Sequence, residues 1–213
     1  MIKKITRRNL EKFLSKYSTN NRVLDVGAGG SEYDKFFPNR LTIDIDPKRK
    51  PDIVGDARRL PFEDGEFEMI ICTEVLEHVK NPFEVEKEFW RVLKQGGILI
   101  LTTRFIFPIH DAPSDFWRFT KYGLKMIFSK WEIIELKEET STFSSLAVLC
   151  QRIGFQTNLR LNKLSKLAVF ISALILDKMN WIILKEFGDI KRKYPEENIL
   201  SSGYYIVCRK EHE

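Results

Sequence analysis

The sequence predicts an α/β fold with a doubly wound, mostly parallel sheet. Short apolar runs alternate with helical segments from residue 23 to about 139. This alternation is typical of parallel strands joined by right-handed crossovers. The run Ile98–Leu101 is apolar throughout, as expected for a central strand that is covered on both faces.

Seven strands are predicted from their apolar and β-branched residues. They are Val23–Val26, Leu41–Ile45, Pro51–Val54, Phe67–Cys72, Ile98–Leu101, Trp131–Leu136 and Gly203–Cys208. Helical spacing predicts a short helix over Leu10–Tyr17 and, at most, another over Glu32–Phe37. A longer helix begins after Asn81, which suits an N-cap, at Pro82, which suits the first helical position. We expect Gly96 and Gly97 to end that helix.

The length of the chain favours one domain over residues 1–213, because 213 residues suit a single α/β unit with additions. The N-terminus is basic but has no long apolar stretch behind it, so we expect no signal peptide. The scattered cysteines Cys72, Cys150 and Cys208 predict reduced thiols and a cytoplasmic protein. No histidine lies at zinc-ligand spacing from them, so no metal site is predicted.

Two strand ends carry the residues expected of a nucleoside pocket. The first strand reaches Asp25 and then the glycines Gly27 and Gly29, whose main chain can approach a ligand closely. The second strand ends at Asp44, whose carboxylate suits two ribose hydroxyls. A dinucleotide is disfavoured, because the third glycine of its fingerprint is replaced by Glu32, which would repel a pyrophosphate.

The chain resembles the class I S-adenosylmethionine-dependent methyltransferases of the type 11 group. The resemblance covers about residues 20–105 and rests on an ordered set of stretches: Val23–Gly30, Thr42–Pro47, Gly55–Phe62, Phe67–Val79 and Arg91–Gly97. It implies a Rossmann-like fold of seven strands with the last strand antiparallel. It also implies S-adenosyl-L-methionine as cofactor and S-adenosyl-L-homocysteine as product.

The resemblance further implies a role for each cofactor-binding residue. The methionine end would lie against the first strand and its loop, at Asp25, Gly27, Ala28 and Gly29. The ribose and adenine would lie against the end of the second strand, at Asp44 and Ile45, and the turn after the third strand, at Asp56 and Ala57. The methyl group would lie beside the end of the fourth strand, at Cys72 and Thr73.

The loop after the fifth strand, Pro108–Thr120, is expected to overhang the pocket. His110 is the candidate catalytic residue, since an imidazole can take a proton from an acceptor hydroxyl or amine; a surface histidine is the alternative. We expect Asp115 to pair with Arg118 and Thr120 to cap a helix. The aromatic residues between them suit either a small core or an acceptor site.

Residues 140–200 form a predicted helical insert before the final strand, 201–210. The preceding segments are a basic N-terminal helix, 1–20, and the cofactor-binding core, 21–139. Apolar residues recur at helical spacing from Leu164 to Ile175, followed by Trp181–Leu184. They suit packing on the sheet domain, or an acceptor cap with peripheral membrane contact through 164–187.

The sequence thus predicts methyl transfer to a small-molecule, glycan-type or lipid-type acceptor. RNA or protein methylation, or a non-catalytic cofactor-binding partner protein, are the alternatives. Nucleic acid is not expected: the position of the Asp/Asn-Pro-Pro-Tyr motif of adenine methyltransferases reads Cys72-Thr73-Glu74-Val75, and no Pro-Cys occurs. Methyl transfer needs positioning more than a strong base. The oligomeric state is left open.

Overall fold

The computed structural model describes residues 4–30 and 33–211. Its main sheet has seven strands in the order β3-β2-β1-β4-β5-β9-β6, and β7 and β8 form a separate two-stranded sheet. The strands are β1 Val23–Val26, β2 Arg40–Asp44, β3 Ile53–Val54, β4 Phe67–Thr73, β5 Leu93–Arg104, β6 Glu132–Glu138, β7 Glu186–Phe187, β8 Pro195–Glu196 and β9 Gly203–Arg209. The predicted doubly wound α/β fold is confirmed.

The parallel strands are buried on both faces, which explains their unbroken apolar sequences. All four residues of β1 are buried, and so are Ile70, Ile71 and Cys72 of β4. β1 pairs in parallel with β2 on one side and with β4 on the other, so that Val26 lies opposite both Ile43 and Cys72. The carboxyl ends of these three strands therefore lie at one edge of the sheet.

β9 is the antiparallel strand, and it lies between β5 and β6. Gly96, near the start of β5, donates its N–H to Lys210, after the end of β9. At the other end, Phe105 donates to Ser202. Six of the seven β9 residues, Gly203–Cys208, are buried, as a strand in the interior of a sheet requires.

Five α-helices are found in the described residues: α1 Ile5–Leu14, α2 Pro82–Val92, α3 Lys121–Ile127, α4 Thr142–Gln156 and α5 Asn162–Leu176. Asn81 caps α2 as predicted, since its side chain accepts the Phe83 N–H at 3.2 Å. The prediction that Gly96 and Gly97 end this helix is wrong. The helix ends at Val92, and both glycines belong to β5, because Leu93 already pairs with Phe67 of the neighbouring strand.

Helix predictions near the N-terminus were only partly correct. Where a helix was predicted over Leu10–Tyr17, α1 begins earlier, at Ile5, and a 3₁₀ turn covers Ser15–Tyr17. The described residues between β1 and β2 form turns and no helix. Ser31 and Glu32, on which part of the predicted first crossover helix falls, lie outside the described residues.

The chain divides into two compact units. One contains the residues up to Phe13, 105–109 and 138–203; the other contains 14–104, 110–137 and 204 onward. The first unit holds the predicted helical insert, and its apolar core is formed by Ile5, Ala147, Val148 and Ala173. Helices α4 and α5 approach closely at Gly154, where an added Cβ would lie 2.8 Å from the Phe170 ring. The second unit holds the sheet and its predicted cofactor residues.

Helix length also bears on membrane topology. In the part of the chain that the structure describes, no helix combines the length and apolarity needed to cross a bilayer.

Candidate functional site

The loop after β1 adopts a backbone conformation that glycine supports best. Gly27, Gly29 and Gly30 have φ values of +69°, +56° and +71°, a region in which a side chain is strained. Gly27 donates its N–H to the Ile43 carbonyl at 2.7 Å, which ties the loop to the end of β2. The predicted glycine turn is therefore present at the carboxyl edge of the sheet, where ligands bind in doubly wound folds.

Two of these glycines also have a neighbouring side chain close to where a Cβ would lie. An added Cβ at Gly27 would lie 2.2 Å from Val75 Cγ2, and one at Gly29 would lie 2.5 Å from Arg49 Nη1. Val75 belongs to the segment that follows β4, so the loops after β1 and β4 are in direct contact. An alanine at either position would have to displace its neighbour.

Asp44 links the ends of the first two strands through its carboxylate. One oxygen accepts the Gly29 N–H at 2.9 Å and the other accepts the Asp46 N–H at 2.9 Å. The side chain is buried, and a carboxylate oxygen that accepts one hydrogen bond can accept a second. Asp44 therefore fixes the glycine loop and keeps capacity for ligand hydroxyls.

Asp25 has a structural partner that the sequence did not reveal. The side chain is fully buried, and its carboxylate binds Arg40 Nη1 at 2.5 Å. Arg40 also binds Asp34 at 2.9 Å. Asp25, which was predicted at the methionine end, therefore forms a buried ion pair with Arg40.

The residues predicted around adenine and the methyl group differ in exposure. Ile45 is exposed at the end of β2. Asp56 binds Arg58 through both carboxylate oxygens, at 2.7–3.2 Å, and this contact lowers the pKa of Asp56. Ala57, next to it, is half-buried.

At the end of β4, Cys72 is fully buried, so its thiol has no access to a ligand and only its main chain could contribute. Burial, reinforced by the charges of Glu77 and Asp25, raises the pKa of this thiol well above its ordinary value. The Thr73 hydroxyl lies 3.3 Å from the Tyr33 hydroxyl, which joins the strand end to the described part of the β1–β2 connection.

A polar cleft of about 300 Å³ adjoins the glycine loop. Its walls combine the glycine loop, the β1–β2 connection, the first part of β2 and the segment before β3: Ala28, Gly29, Gly30, Asp34, Arg40, Thr42, Arg49, Lys50, Pro51 and Asp52. Three of these residues are cationic and two are anionic. The cleft includes Ala28 and Gly29 of the predicted site, whereas Gly27, Asp44, Ile45, Asp56, Ala57, Cys72 and Thr73 are not part of its lining.

A second group of polar residues lies directly after β4. Glu77 and His78 belong to the 3₁₀ turn Leu76–His78, and His110 comes from the loop after β5. The His78 and His110 rings meet edge to face at 4.7 Å between centroids. His110 Nε2 lies 3.9 Å from Glu77 Oε1. The fold thus brings the predicted catalytic histidine to a buried carboxylate 33 positions earlier in the chain.

The loop that carries His110 is braced as the sequence predicted. Asp115 binds Arg118 at 2.7 and 2.8 Å and accepts the His110 N–H at 2.9 Å. Thr120 caps α3 by accepting the Gly123 N–H at 3.0 Å. The Arg118 contact lowers the pKa of Asp115 far below its ordinary value. Asp115 is therefore a carboxylate that positions His110.

The aromatic residues of this loop are divided between core and surface. Phe119 is buried, whereas Phe116 and Trp117 are each 43% exposed. Trp117 donates its indole N–H to the Val79 carbonyl at 2.9 Å. The predicted small core therefore forms only around Phe119.

Glu77 and His110 are both perturbed by their burial. Burial raises the pKa of Glu77 to about 7, although the positive charge of Arg104 opposes the shift. Burial lowers the pKa of His110, and Asp115 partly offsets the effect. Nothing in the sequence places His110 beside Glu77 and His78, which precede it by 33 and 32 positions.

The family described as Methyltransferase domain matches residues 24–101, which run from β1 through most of β5. This part of the chain is similar to a methyltransferase domain. The match contains all ten predicted cofactor residues, and His110 lies beyond it.

Curated relatives are similar to this chain over part of their length. The ubiquinone biosynthesis O-methyltransferase of Dechloromonas aromatica is 35% identical over 101 residues, which cover 38% of this chain and 44% of the relative. The mitochondrial 2-methoxy-6-polyprenyl-1,4-benzoquinol methylase of Caenorhabditis elegans is 29% identical over 100 residues, 45% of this chain and 32% of the relative. The chain thus matches less than half of either relative.

A solved structure extends the likeness in fold. Phosphoethanolamine N-methyltransferase 2 of Haemonchus contortus, solved in complex with S-adenosyl-L-methionine, superposes with a TM-score of 0.56 and 18% identity. The alignment covers 97% of this chain and 53% of that one. At this identity the likeness concerns the fold alone, and it extends well beyond residues 24–101.

Proposed function

We propose that the protein transfers a methyl group from S-adenosyl-L-methionine to a small-molecule acceptor and releases S-adenosyl-L-homocysteine. The glycine loop held by Asp44 is the observation that supports this proposal most. The left-handed backbone of Gly27 and Gly29 brings the main chain to the edge of the sheet without side chains. Asp44 adds a buried carboxylate at the same edge. These features suit an adenosyl ligand.

We assign the chain's residues to separate parts of that ligand. Main-chain groups of Gly27, Ala28 and Gly29 would face the methionine end. The two oxygens of Asp44 would accept hydrogen bonds from the ribose hydroxyls, and the exposed Ile45 would pack on the adenine. Asp25 acts from beneath, by anchoring Arg40.

The remaining assignments concern adenine and the methyl group. Asp56 would accept from the adenine amino group while it holds Arg58, with Ala57 beside it. The main chain of Cys72 and the Thr73 hydroxyl would lie near the transferred group. We keep the Cys72 thiol out of the site because it is fully buried.

Bound S-adenosyl-L-methionine supplies an activated methyl group on a sulfonium, which leaves as a neutral thioether. The protein's contribution is then mainly to hold the acceptor in line with that group, which can account for a large part of the rate. Loops after β1, β4 and β5 supply the rigid surroundings, since Val75 contacts Gly27 and Asp115 holds His110. His110 remains a candidate acceptor contact.

Cofactor binding is tested by calorimetry with S-adenosyl-L-homocysteine. We expect micromolar binding, which Asp44→Ala weakens about 10–100-fold, or roughly 1.5–3 kcal/mol. Asp44→Ala also leaves the Gly29 and Asp46 N–H groups without their acceptors. Asp44→Asn is therefore measured as well, because its amide oxygen can still accept from Gly29 while the charge and one acceptor oxygen are lost. Glu132→Ala, on β6, is the control and should bind normally. Unchanged affinity in both Asp44 variants would refute the ribose assignment.

The acceptor class is suggested by the relatives, whose names describe enzymes of quinone biosynthesis. We propose an apolar small molecule with a methyl-accepting hydroxyl or ring carbon. Incubation of the protein with labelled cofactor and pools of phenols, quinols, glycans and lipids, read by mass spectrometry, should show a gain of one methylene in the phenol or quinol pool. Transfer to RNA or protein instead would contradict the assignment, and cofactor binding without any transfer would indicate a non-catalytic partner protein.

Helix α5 supports contact with a lipid surface. Only Ala173 of its fifteen residues is buried, and Leu164, Leu167, Leu174 and Ile175 are each more than half exposed. No acidic residue occurs from 158 to 176, whereas Arg160, Lys163 and Lys166 do. An exposed apolar helix with basic residues suits an anionic bilayer surface.

We therefore propose that residues 164–187 bind anionic phospholipid reversibly. Flotation with phosphatidylcholine vesicles that contain phosphatidylserine should recover the protein at low salt and less of it at high salt. Lys163→Glu with Lys166→Glu should abolish recovery, while Lys130→Glu in the other unit should not. If the wild type and both variants float with the vesicles equally, or if the wild type does not float at all, residues 164–187 are not the lipid-binding surface. Cytoplasmic location is part of the same proposal, and the three free cysteines support it.

A further inference from the structure

Three side chains in the loops after β4 and β5 form a compact set of metal-ligand types. One nitrogen or oxygen atom from each of Glu77, His78 and His110 lies within 4.8 Å of the others. These residues come from two separate segments, so their convergence is a property of the fold and not of local sequence. All three belong to the unit that contains the sheet.

The Glu77 carboxylate is only half satisfied by the protein. Its Oε2 accepts the Thr103 hydroxyl at 2.8 Å, whereas Oε1 is buried and has no hydrogen-bond partner among residues 4–30 and 33–211. Leaving a buried carboxylate oxygen without a partner is costly. The unsatisfied atom faces His110 Nε2 at 3.9 Å, too far for a hydrogen bond.

That separation suits two ligands of a single ion. Metal–oxygen and metal–nitrogen bonds to carboxylate and imidazole are about 2.0–2.2 Å for Zn²⁺. Two such ligands on one ion therefore lie roughly 3–4 Å apart. The distance between Glu77 Oε1 and His110 Nε2 falls within this range.

Both imidazoles are oriented from their other nitrogen. His78 Nδ1 lies 2.5 Å from the Ser114 carbonyl oxygen, and His110 Nδ1 lies 3.5 Å from Asp115 Oδ2. A backbone carbonyl or carboxylate on one ring nitrogen is the usual support of a histidine that binds metal through the other. His78 Nε2 lies 4.0 Å from Asp111 Oδ2, which adds a further oxygen nearby.

The charges around the set are compatible with a cation. Arg104 and Arg118 are the positive groups beside Glu77 and His110. Arg104 is bound by Glu74 and Arg118 by Asp115, so each arginine has a carboxylate partner. Glu77 and the exposed Asp111 then add negative charge around the two imidazoles.

We propose that Glu77, His78 and His110 bind one divalent transition-metal ion. Two imidazoles and one carboxylate favour Zn²⁺ and chemically similar ions over Mg²⁺ or Ca²⁺, and leave coordination positions open. This differs from the sequence prediction of no metal. One consequence rests on the proposed function: an acceptor hydroxyl in an open position would lose its proton to water more readily and attack the methyl group as an oxyanion.

The test is calorimetric titration of the metal-stripped full chain with ZnCl₂, and with CoCl₂ under absorption spectroscopy. We expect one ion per chain and visible Co²⁺ bands of a nitrogen- and oxygen-bound ion. His110→Ala and His78→Ala should each weaken binding at least tenfold and alter the bands. Glu77→Gln, which keeps the side-chain shape, should do the same, whereas Glu132→Gln should not.

Several outcomes would overturn the site. Binding that all three ligand variants retain would show an adventitious ion only, as would weak binding of several ions per chain. Far-ultraviolet circular dichroism and the Tm of each variant separate lost ligands from lost folding, and partly exposed His78 is the variant least expected to unfold. Binding of S-adenosyl-L-homocysteine is measured in parallel: if it persists while metal binding is absent, the metal site alone is refuted.

Discussion

Replacement of Gly27 by alanine tests the central geometry of the glycine loop. The new Cβ would lie 2.2 Å from Val75 Cγ2, and the residue would keep a φ of +69°. To reach an ordinary contact of 3.4 Å, the loop and Val75 must move apart by about 1.2 Å. Such a movement displaces the main chain that we assign to the cofactor.

The expected loss of stability combines a backbone contribution and a crowding contribution. A left-handed conformation costs an L-residue about 1–2 kcal/mol, and the stiffer unfolded chain returns about 0.4–1 kcal/mol. Crowding against a packed side chain adds about 1–3 kcal/mol. Gly27→Ala should therefore lower the free energy of unfolding by about 1–5 kcal/mol and weaken S-adenosyl-L-homocysteine binding at least tenfold. The sum of these effects is large for one methyl group.

The chain offers a matched control. Gly96 has a φ of +73°, but an added Cβ there would meet nothing within 4 Å. Gly96→Ala should lose only about 1 kcal/mol and bind normally. Urea unfolding and calorimetry measure both quantities, and adding Val75→Ala to Gly27→Ala should restore stability and binding through a favourable coupling. Equal stability loss at the two glycines, or no rescue, would refute the reasoning.

Three further predictions concern stability and reactivity. Arg40→Met should lower the free energy of unfolding by about 3–5 kcal/mol in a denaturant titration, because the Asp25 charge stays buried; a loss below 1 kcal/mol would argue against the ion pair. Asn81→Ala should cost about 1 kcal/mol through the lost α2 cap, with unchanged ligand binding. Native protein should react rapidly with a thiol reagent at Cys150 only, since burial raises the pKa of Cys72 and brings that of Cys208 to about 12; mass spectrometry of labelled peptides identifies the site.

Much of the sheet could be predicted because its strands are locally distinct. β1, β4 and β9 are apolar runs bounded by turn residues, and their observed limits differ from the predicted ones by no more than one residue. Gly96 and Gly97 were misassigned for a physical reason. Glycines end helices and also occur in irregular strands. Only the pairing of Leu93 with Phe67 shows that Gly96 and Gly97 belong to a strand.

The candidate site was predictable only where its residues follow one another in the chain. The glycine turn directly follows β1 and Asp44 is the last residue of β2, so strand prediction alone placed them at one edge. Glu77 and His110 meet only because β4 and β5 are neighbours in the sheet and both loops leave from the same edge. A search for polar residues just after adjacent predicted strands could have suggested this pairing, but not its distance.

The interior position of β9 has a consequence for biosynthesis. Residues 203–209 fill the gap between β5 and β6, although both neighbours are translated long before them. A nascent chain that lacks this segment exposes two unpaired strand edges, which invite association with other chains. Because β9 follows the insert in the chain, the sheet cannot close until residues 203–209 have left the ribosome. We therefore expect the nascent chain to be most prone to aggregation late in its synthesis.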